Sequence, residues 1–350
     1  MLCEAIPGTK WKLCRLTSGL PKILKAWYGV GPRGSPRLRK ALASFFNSEF
    51  RSHDPVRDTD VLILPGVISV LDARSWSICN ENEGTIVLVP YYTGFKPASL
   101  DDVFSPKMNQ QALESALRKA ESDGGKVRAV LISKYETILP HNPLGRCYPA
   151  ETLGEIARFC GSNNLHLISD EIFVRLVYGS LRASYAMLFT SVVLLDLSDC
   201  IARHLVHVAY GVGKDFCASG LRIGVLLSRN DGSVSALTMC SVFKWVPYLT
   251  QNAWAKMLDD DQFLAAFNAK NANILGGHNA SPLSNLESYR HRETELFKRC
   301  LERGVGISPG SSFCTEELGW LRICFAVEKQ ALYVGSQRLL ECLKAIETSN

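Results

Sequence analysis

The segment Tyr210–Gly224, YGVGKDFCASGLRIG, combines residue types that suit cofactor chemistry. Lys214 stands eight positions before Arg222, with glycines between and around them. An accessible lysine amine can form an imine with an aldehyde, and a guanidinium can clamp a phosphate. Because pyridoxal phosphate (PLP) offers both groups, the segment predicts a PLP site with Lys214 as the imine lysine and Arg222 as the phosphate clamp. A surface lysine near a salt-bridging arginine is the simpler alternative.

Two further positions fall where a predicted sheet would bind a ligand. Asp170 ends the apolar stretch LHLIS, which predicts a buried strand, and open α/β sheets bind ligands at the carboxyl ends of their strands. A carboxylate there can keep a pyridinium nitrogen protonated, although it can also cap a helix. Gly66–Ser69 opens a predicted helix after the strand Asp60–Leu64, and free backbone amides at a helix start can hold phosphate. A strand–turn–helix without a ligand is equally common.

The elements that must position these residues alternate between short apolar strands and helices as far as Asn230. That alternation predicts an α/β fold with a mostly parallel sheet flanked by helices. Beyond Asn230 the pattern predicts two long helical stretches, Ser233–Leu258 and Ser284–Arg303, then short strands and a last helix, which is typical of a smaller α+β domain. The predicted organisation is an N-terminal segment (1–27), a large domain (28–232) and a small C-terminal domain that begins with an interdomain helix (233–350).

Composition narrows the functional classes. The 350 residues are 47% hydrophobic and carry a net charge of +5, with basic residues scattered apart from the RLRK cluster at 37–40, so we expect no nucleic-acid partner. No apolar run reaches membrane-spanning length and no secretory signal opens the chain, so we expect a cytoplasmic protein without a membrane partner. The twelve cysteines include no CxxC pair, which predicts free thiols and no metal site.

Several segments, in their order along the chain, resemble the class I/II aminotransferase family, which has fold type I of the PLP enzymes. The likeness is greatest to the fungal branch similar to 1-aminocyclopropane-1-carboxylate (ACC) synthase, and it extends from about Tyr28 to the C-terminus. The segments are Tyr28–Phe50, Pro90–Phe95 (PYYTGF), His141–Pro149 (HNPLGRCYP), Leu165–Phe173 (LHLISDEIF), Lys214–Asn230 and Gly319–Ala326 (GWLRICFA).

The resemblance implies PLP as cofactor and assigns a role to five residues around it. Lys214 would hold the cofactor as an imine and then act as general base at the substrate Cα. Asp170 would pair with the pyridinium nitrogen, and Arg222 would bind the phosphate. Asn142 would hydrogen-bond the phenolic oxygen of the ring, although an Asn-Pro pair is also an ordinary turn signal. Tyr92 would stack on the ring, or be only a tyrosine at a strand end.

The resemblance also implies substrate contacts and a partner subunit. Arg322 lies on the predicted strand LRICFA, and a bidentate guanidinium suits the α-carboxylate of an amino acid. An internal salt bridge is the alternative. Tyr28 matches a tyrosine that reaches the phosphate in the other subunit, so we expect a homodimer.

The sequence departs from the family pattern at several positions. Gly211 and Gly213 stand where the family has serines, which removes hydroxyl contacts to phosphate. Phe173 replaces a tyrosine of the family, so it cannot donate to the phenolic oxygen, and we expect slower catalysis. Lys134–Pro140 looks inserted before Asn142 and can displace it. These departures favour a second hypothesis, a fold relative that has lost catalysis and acts as a binding partner.

The resemblance implies chemistry at the Cα of an amino acid or amino-acid conjugate. Transamination, β-elimination with C–S cleavage, and ring closure to ACC can all begin at that carbon. The branch includes transaminases and the C–S lyases of sulfur-bridged dioxopiperazine toxin pathways. We therefore expect an aminotransferase or C–S lyase of fungal secondary metabolism, with ACC synthase-type activity as the alternative.

Overall fold

A computed structural model describes residues 31–88, 106–133, 148–173, 190–275, 292–313, 321–323, 327 and 329–347. Eight strands lie in the described part of the chain: β1 Val61–Leu64, β2 Glu83–Val87, β3 Lys126–Ser133, β4 His166–Asp170, β5 Val206–Gly211, β6 Gly224–Ser228, β7 Ile307–Pro309 and β8 Leu321–Ile323. The α-helices there are α1 Pro36–Glu49, α2 Val67–Ile78, α3 Pro106–Ser122, α4 Ala150–Ser162, α5 Val212–Asp215, α6 Asp231–Cys240, α7 Tyr248–Leu258, α8 Asp261–Leu275, α9 Glu293–Glu302 and α10 Lys329–Glu347.

Six strands form one sheet in the order β1-β6-β5-β4-β3-β2. Strands β2 to β5 pair in parallel, whereas β6 pairs antiparallel with both β5 and β1. Strand β1 therefore runs in the same direction as β5, and β6 alone is reversed. The predicted mostly parallel sheet flanked by helices is confirmed.

The strand directions bring several chain segments to one end of the sheet. The parallel strands finish there at Leu64, Asp170 and Gly211, and the reversed strand β6 starts there at Gly224. The register pairs Gly211 with Gly224, and Gly224 also pairs with Leu64. We call this the carboxyl end of the sheet. It is the end at which open α/β sheets bind ligands.

Helix α1 begins where Ser35 accepts a hydrogen bond from the backbone N–H of Leu38 at 3.2 Å, and Pro36 fits its first turn because proline has no N–H to lose there. Its apolar face packs against the sheet and α7. An aromatic cluster is formed by Phe45, Phe46, Phe50, Tyr210, Phe216 and Trp254, all buried. Tyr210 thus ties strand β5, which leads to Lys214, into the core.

The predicted single helix Ser233–Leu258 is wrong. The chain forms α6, then a short 3-10 turn at Ser241–Phe243, and restarts as α7 after Pro247. Proline disfavours helical geometry in the residue before it, which explains the break. Helix α8 was not predicted, although Asp260 accepts a hydrogen bond from the backbone N–H of Phe263 at 2.9 Å, an ordinary helix-start signal.

The C-terminal elements surround a core cluster of their own. Helices α9 and α10 and strand β7 bury Leu296, Cys300, Ile307 and Cys342 together. Strands β7 and β8 form a two-stranded antiparallel sheet. These elements agree with a small α+β unit, while the exact boundaries at 27/28 and 232/233 stay a prediction. Within the described ranges, no helix is both long and apolar enough to cross a membrane.

Candidate active site

Lys214 lies in the short helix α5, directly after β5, at the carboxyl end of the sheet. Its side chain is exposed, whereas the neighbouring Asp215 is buried. The Tyr210 hydroxyl donates to Asp215 Oδ2 at 2.9 Å, and the backbone N–H of Cys217 donates to the Lys214 carbonyl at 3.0 Å. The turn that carries Lys214 is therefore fixed to the buried strand beneath it, while its amine projects away from the core.

The ring of Phe173 lies beneath the Lys214 amine. The Nζ atom stands 5.3 Å from the centroid of the ring, within the range of a cation–π contact. Sequence reasoning identified Phe173 only as a departure from the family. The structure gives it a contact with the predicted imine lysine, three residues beyond Asp170.

Asp170 is buried at the end of β4, beside β5 in the sheet. Its Oδ1 accepts a hydrogen bond from the backbone N–H of Ile172 at 3.3 Å. Strand β4 pairs with β5 in parallel, with Asp170 opposite Ala209, so Asp170 and Lys214 follow neighbouring strand ends. The structure therefore brings these two residues to the same end of the sheet.

The next residue, Glu171, has a structural role that sequence reasoning missed. Its buried carboxylate accepts hydrogen bonds from the hydroxyls of Ser169 and Ser191 and from the backbone N–H of Val192. These bonds join the end of β4 to the segment at 190–192. The two consecutive carboxylates therefore have different roles. Glu171 accepts hydrogen bonds within the folded chain, whereas Asp170 lies at the carboxyl end of β4.

Arg222 and Gly66 form a cradle at the same end of the sheet. Gly66 caps helix α2 with a φ of +89°, and a Cβ on it would lie 2.8 Å from Arg222 Nη2. Arg222 itself has a left-handed backbone, with a φ of +51°. It ends the 3-10 turn Ser219–Leu221 in this conformation. The guanidinium thus stands over the start of α2, beside its first backbone amides.

Two glycines allow this close approach of β6 to α2. A Cβ on Gly224 would lie 2.4 Å from the carbonyl carbon of Gly66, and one on Gly211 would lie 2.9 Å from the carbonyl oxygen of Ile223. At Gly213 the nearest atom would be 3.4 Å away, an ordinary contact. Hence only Gly211 of the two glycines that replace family serines stands where a side chain does not fit.

The other predicted site residues have no described side chains. Tyr28, Tyr92 and Asn142 lie outside the described residues, as does the apparent insertion Lys134–Pro140. The backbone of Arg322 pairs with Ser308 between β8 and β7, but its side chain is outside the described part of the structure. Their roles stay predictions.

The described residues fit PLP. The carboxyl end of the sheet presents an accessible amine, a buried carboxylate on the neighbouring strand, and a guanidinium beside a helix start. These are the groups that an aldehyde, a pyridinium nitrogen and a phosphate require.

The sequence also matches the family described as Aminotransferase class I and II over residues 28–339. The chain belongs to this family. Similar class I/II relatives include the soybean (Glycine max) protein named 1-aminocyclopropane-1-carboxylate synthase, 28% identical, with 87% of this chain and 70% of the relative covered. "Probable aminotransferase tcpI" of the fungus Claviceps purpurea is 27% identical, with 91% and 81% covered. The predicted ACC synthase-like branch is confirmed by these relatives.

Solved structures show the same fold at low sequence identity. The aromatic aminotransferase of Pyrococcus horikoshii superposes with a TM-score of 0.73 at 19% identity, covering 97% of this chain and 92% of that one. A mutant aspartate aminotransferase of Thermus thermophilus superposes with a TM-score of 0.72 at 20% identity, covering 96% and 93%. The predicted fold class is confirmed. As a class I/II aminotransferase-family protein, the chain is a PLP-dependent enzyme.

Proposed function

We propose that this chain acts at the Cα of an amino acid or amino-acid conjugate, as an aminotransferase or a C–S lyase of fungal secondary metabolism. The observation that carries the proposal is the convergence of Lys214, Asp170 and the Arg222–Gly66 cradle at the carboxyl end of the sheet. The fungal relative named as an aminotransferase supports the choice of reaction class. ACC synthase-type cleavage is the alternative, because several relatives carry that name.

Each residue has a task that its position allows. The Arg222 guanidinium and the first amides of α2 would hold the cofactor phosphate. The Asp170 carboxylate would pair with the pyridinium nitrogen. PLP, when bound, supplies an electron-withdrawing ring that stabilises negative charge at the substrate Cα. The Lys214 amine would take and return the Cα proton, and the Phe173 face would orient that amine.

Three further residues complete the proposed site. Arg322 would bind the α-carboxylate of the substrate, where a planar pair of N–H donors matches two carboxylate oxygens. Asn142 and Tyr92 would contact the cofactor ring, by a hydrogen bond to its phenolic oxygen and by stacking. An amino-acid substrate with a thioether at Cβ would then open the elimination route, and one without a leaving group would open transamination.

We further propose a cytoplasmic homodimer, in which Tyr28 reaches the partner's cofactor phosphate. Large apolar side chains are exposed on the outer faces of α2, of α6 and of the 3-10 turn after it, which supports burial against a second copy. These side chains are Ile68, Trp76, Met239, Val242 and Phe243. Light scattering would give twice the chain mass of 38.7 kDa for the dimer, and a mass of one chain would contradict it.

An absorption spectrum of the purified protein with added PLP tests the proposal, with Lys214→Ala beside it. We expect a band distinct from free PLP only in the wild type, fixed covalently by borohydride. Lys244→Ala, which removes an exposed lysine paired with Asp72, is the matched control and should behave as wild type. Amino acids with 2-oxo acids, and cysteine conjugates, then separate oxo-acid exchange from release of pyruvate and ammonia. Free-PLP spectra from both proteins would instead favour the non-catalytic fold relative.

A further inference from the structure

A buried cationic cluster lies at the opposite, amino end of the sheet from the candidate active site. It contains Arg74 of α2, His166 at the start of β4, and His207 near the start of β5. Arg74 is 0% exposed, and among the described residues it makes no ion pair with a carboxylate. Burial lowers the pKa of Arg74 to about 10. Buried charges in proteins are normally paired, so this one lacks its usual counterpart.

The partners that Arg74 does have are neutral. Its Nη2 lies 2.6 Å from His207 Nε2 and 3.0 Å from His166 Nδ1. Its Nη1 donates to the hydroxyls of Ser77, at 3.1 Å, and Ser233. Its Nε is buried and has no acceptor within the described ranges. The guanidinium therefore keeps both its full charge and one N–H without a hydrogen bond.

The two histidines cannot both be satisfied around this guanidinium. His166 Nδ1 and His207 Nε2 lie 3.0 Å apart, and each faces Arg74 Nη2. A guanidinium only donates, so a ring nitrogen facing it must offer a lone pair. If both His166 Nδ1 and His207 Nε2 accept from Arg74, their two lone pairs face each other. If one of these nitrogens carries a proton, that proton faces an N–H of the guanidinium. One of these three contacts therefore cannot be a hydrogen bond, and the guanidinium charge has no counter-charge beside it among the described residues.

A second arginine, Arg128, lies in the same region, and its charge is paired with Glu83. Arg128 Nε is buried without an acceptor in the described part of the chain, although the other end of this side chain pairs with Glu83. Burial raises the pKa of the Cys79 thiol, while the charges of both Arg128 and Arg74 oppose that rise. Both guanidinium groups thus act on Cys79. His166, Ser77 and Ser233 are only half-buried, so the cluster extends from the core towards the protein surface.

We propose that this cluster binds a small inorganic anion, a halide or a tetrahedral oxyanion, at the buried Nε–H of Arg74. The anion would neutralise the buried guanidinium and accept the hydrogen bond of its Nε. Because it binds the folded state and not the unfolded chain, it would stabilise the fold. The site is independent of the proposed catalysis, since it lies at the other end of the sheet.

Thermal unfolding against anion concentration tests the site. The PLP-saturated protein is titrated with sodium chloride, bromide or sulfate, with gluconate holding the ionic strength constant. We expect the unfolding midpoint to rise by about 2 °C for each tenfold increase above the dissociation constant. Arg74→Gln should lose this rise. Arg74→Lys, which keeps the positive charge but removes the Nε–H, should need several-fold more anion for the same shift.

Two controls separate this site from other anion effects. Arg222→Gln should keep the full rise, because its guanidinium is at the carboxyl end of the sheet. Arg118→Gln, an exposed arginine paired with Glu114, should also keep it. A bromide-soaked crystal of the wild type should show an anomalous peak beside Arg74. An equal rise in wild type and Arg74→Lys, a rise lost in Arg222→Gln, or no bromide peak would each overturn the proposal.

Discussion

Arg222 Nη2 lies so close to Gly66 that a Cβ on Gly66 would meet it at 2.8 Å. This contact joins the loop after Lys214 to the first turn of α2. The proposed phosphate cradle is therefore formed by two separate segments of the chain. It also explains why β6 begins with glycine, because Gly224 lies against the backbone of Gly66.

Gly224→Ala is expected to destabilise the protein and weaken PLP binding. The added methyl would lie 2.4 and 2.5 Å from the carbonyl carbon and oxygen of Gly66, and backbone atoms yield less than a side chain. Overpacking of this kind costs about 1–3 kcal/mol of unfolding free energy. Gly213→Ala is the matched control, since its new methyl would make only ordinary contacts. Urea unfolding curves for both variants measure the effect, and equal curves would refute it.

Phe173→Leu is expected to weaken PLP binding by about two- to fivefold, the size of an exposed cation–π contact. The leucine removes the ring on which the Lys214 amine lies. Phe173→Tyr keeps the ring and should bind PLP at least as well as wild type. A spectrophotometric PLP titration of the three proteins gives the dissociation constants. Weaker binding by the tyrosine variant than by the leucine variant would show that the ring face is not what matters.

Asp170 and Glu171 are expected to differ when each is replaced. Glu171→Ala leaves two buried serine hydroxyls and a backbone N–H without their acceptor, which should cost about 3 kcal/mol of unfolding free energy. Asp170→Asn keeps an oxygen for the Ile172 N–H and should change that free energy by less than about 1 kcal/mol. PLP affinity should fall in the Asp170 variant. A large loss of stability in the Asp170 variant, with a loss of PLP affinity in the Glu171 variant, would contradict this assignment of the two carboxylates.

The protein is expected to lose stability as the pH falls from 6.5 to 5. Burial, with the charges of Arg74, His204 and Arg128, lowers the pKa of His166 to about 4, and burial also lowers the pKa of His207, next to Arg74 and His166. Both groups therefore bind protons more weakly in the folded state, so their contribution is complete above pH 6.5 and declines towards pH 4. Because His166 is only half-buried, solvent screening reduces its share, which we expect to be about 1 kcal/mol by pH 5.

Chemical unfolding at several pH values measures this decline. His166→Asn should flatten the curve between pH 6.5 and 5, because the group that gains a proton is gone. His53→Gln, which removes an exposed histidine beside Asp196, should leave the curve unchanged. Constant stability of the wild type across this window would show that the buried histidines do not control it.

The sheet and the convergence of Lys214 with Asp170 could be predicted, because buried strands read as continuous apolar runs and parallel strand ends meet at one place. The break between α6 and α7 could also have been predicted from Pro247, but the helical spacing of the apolar residues favoured one continuous helix. The contact of Arg222 with Gly66 could not be predicted, since it depends on β6 running against its neighbours. The cluster around Arg74 could not be predicted either, because His166 and His207 are 92 and 133 residues from Arg74 in the sequence.

The reversed strand β6 has one more consequence. Lys214 and Arg222 both lie in the connection between β5 and β6, which contains helix α5 and the 3-10 turn Ser219–Leu221, so one local segment spaces the amine and the guanidinium. Movement of other elements of the chain would leave their separation unchanged. Lys214 and Arg222 would therefore hold the aldehyde and phosphate ends of the cofactor at a fixed distance from each other, whichever substrate is bound.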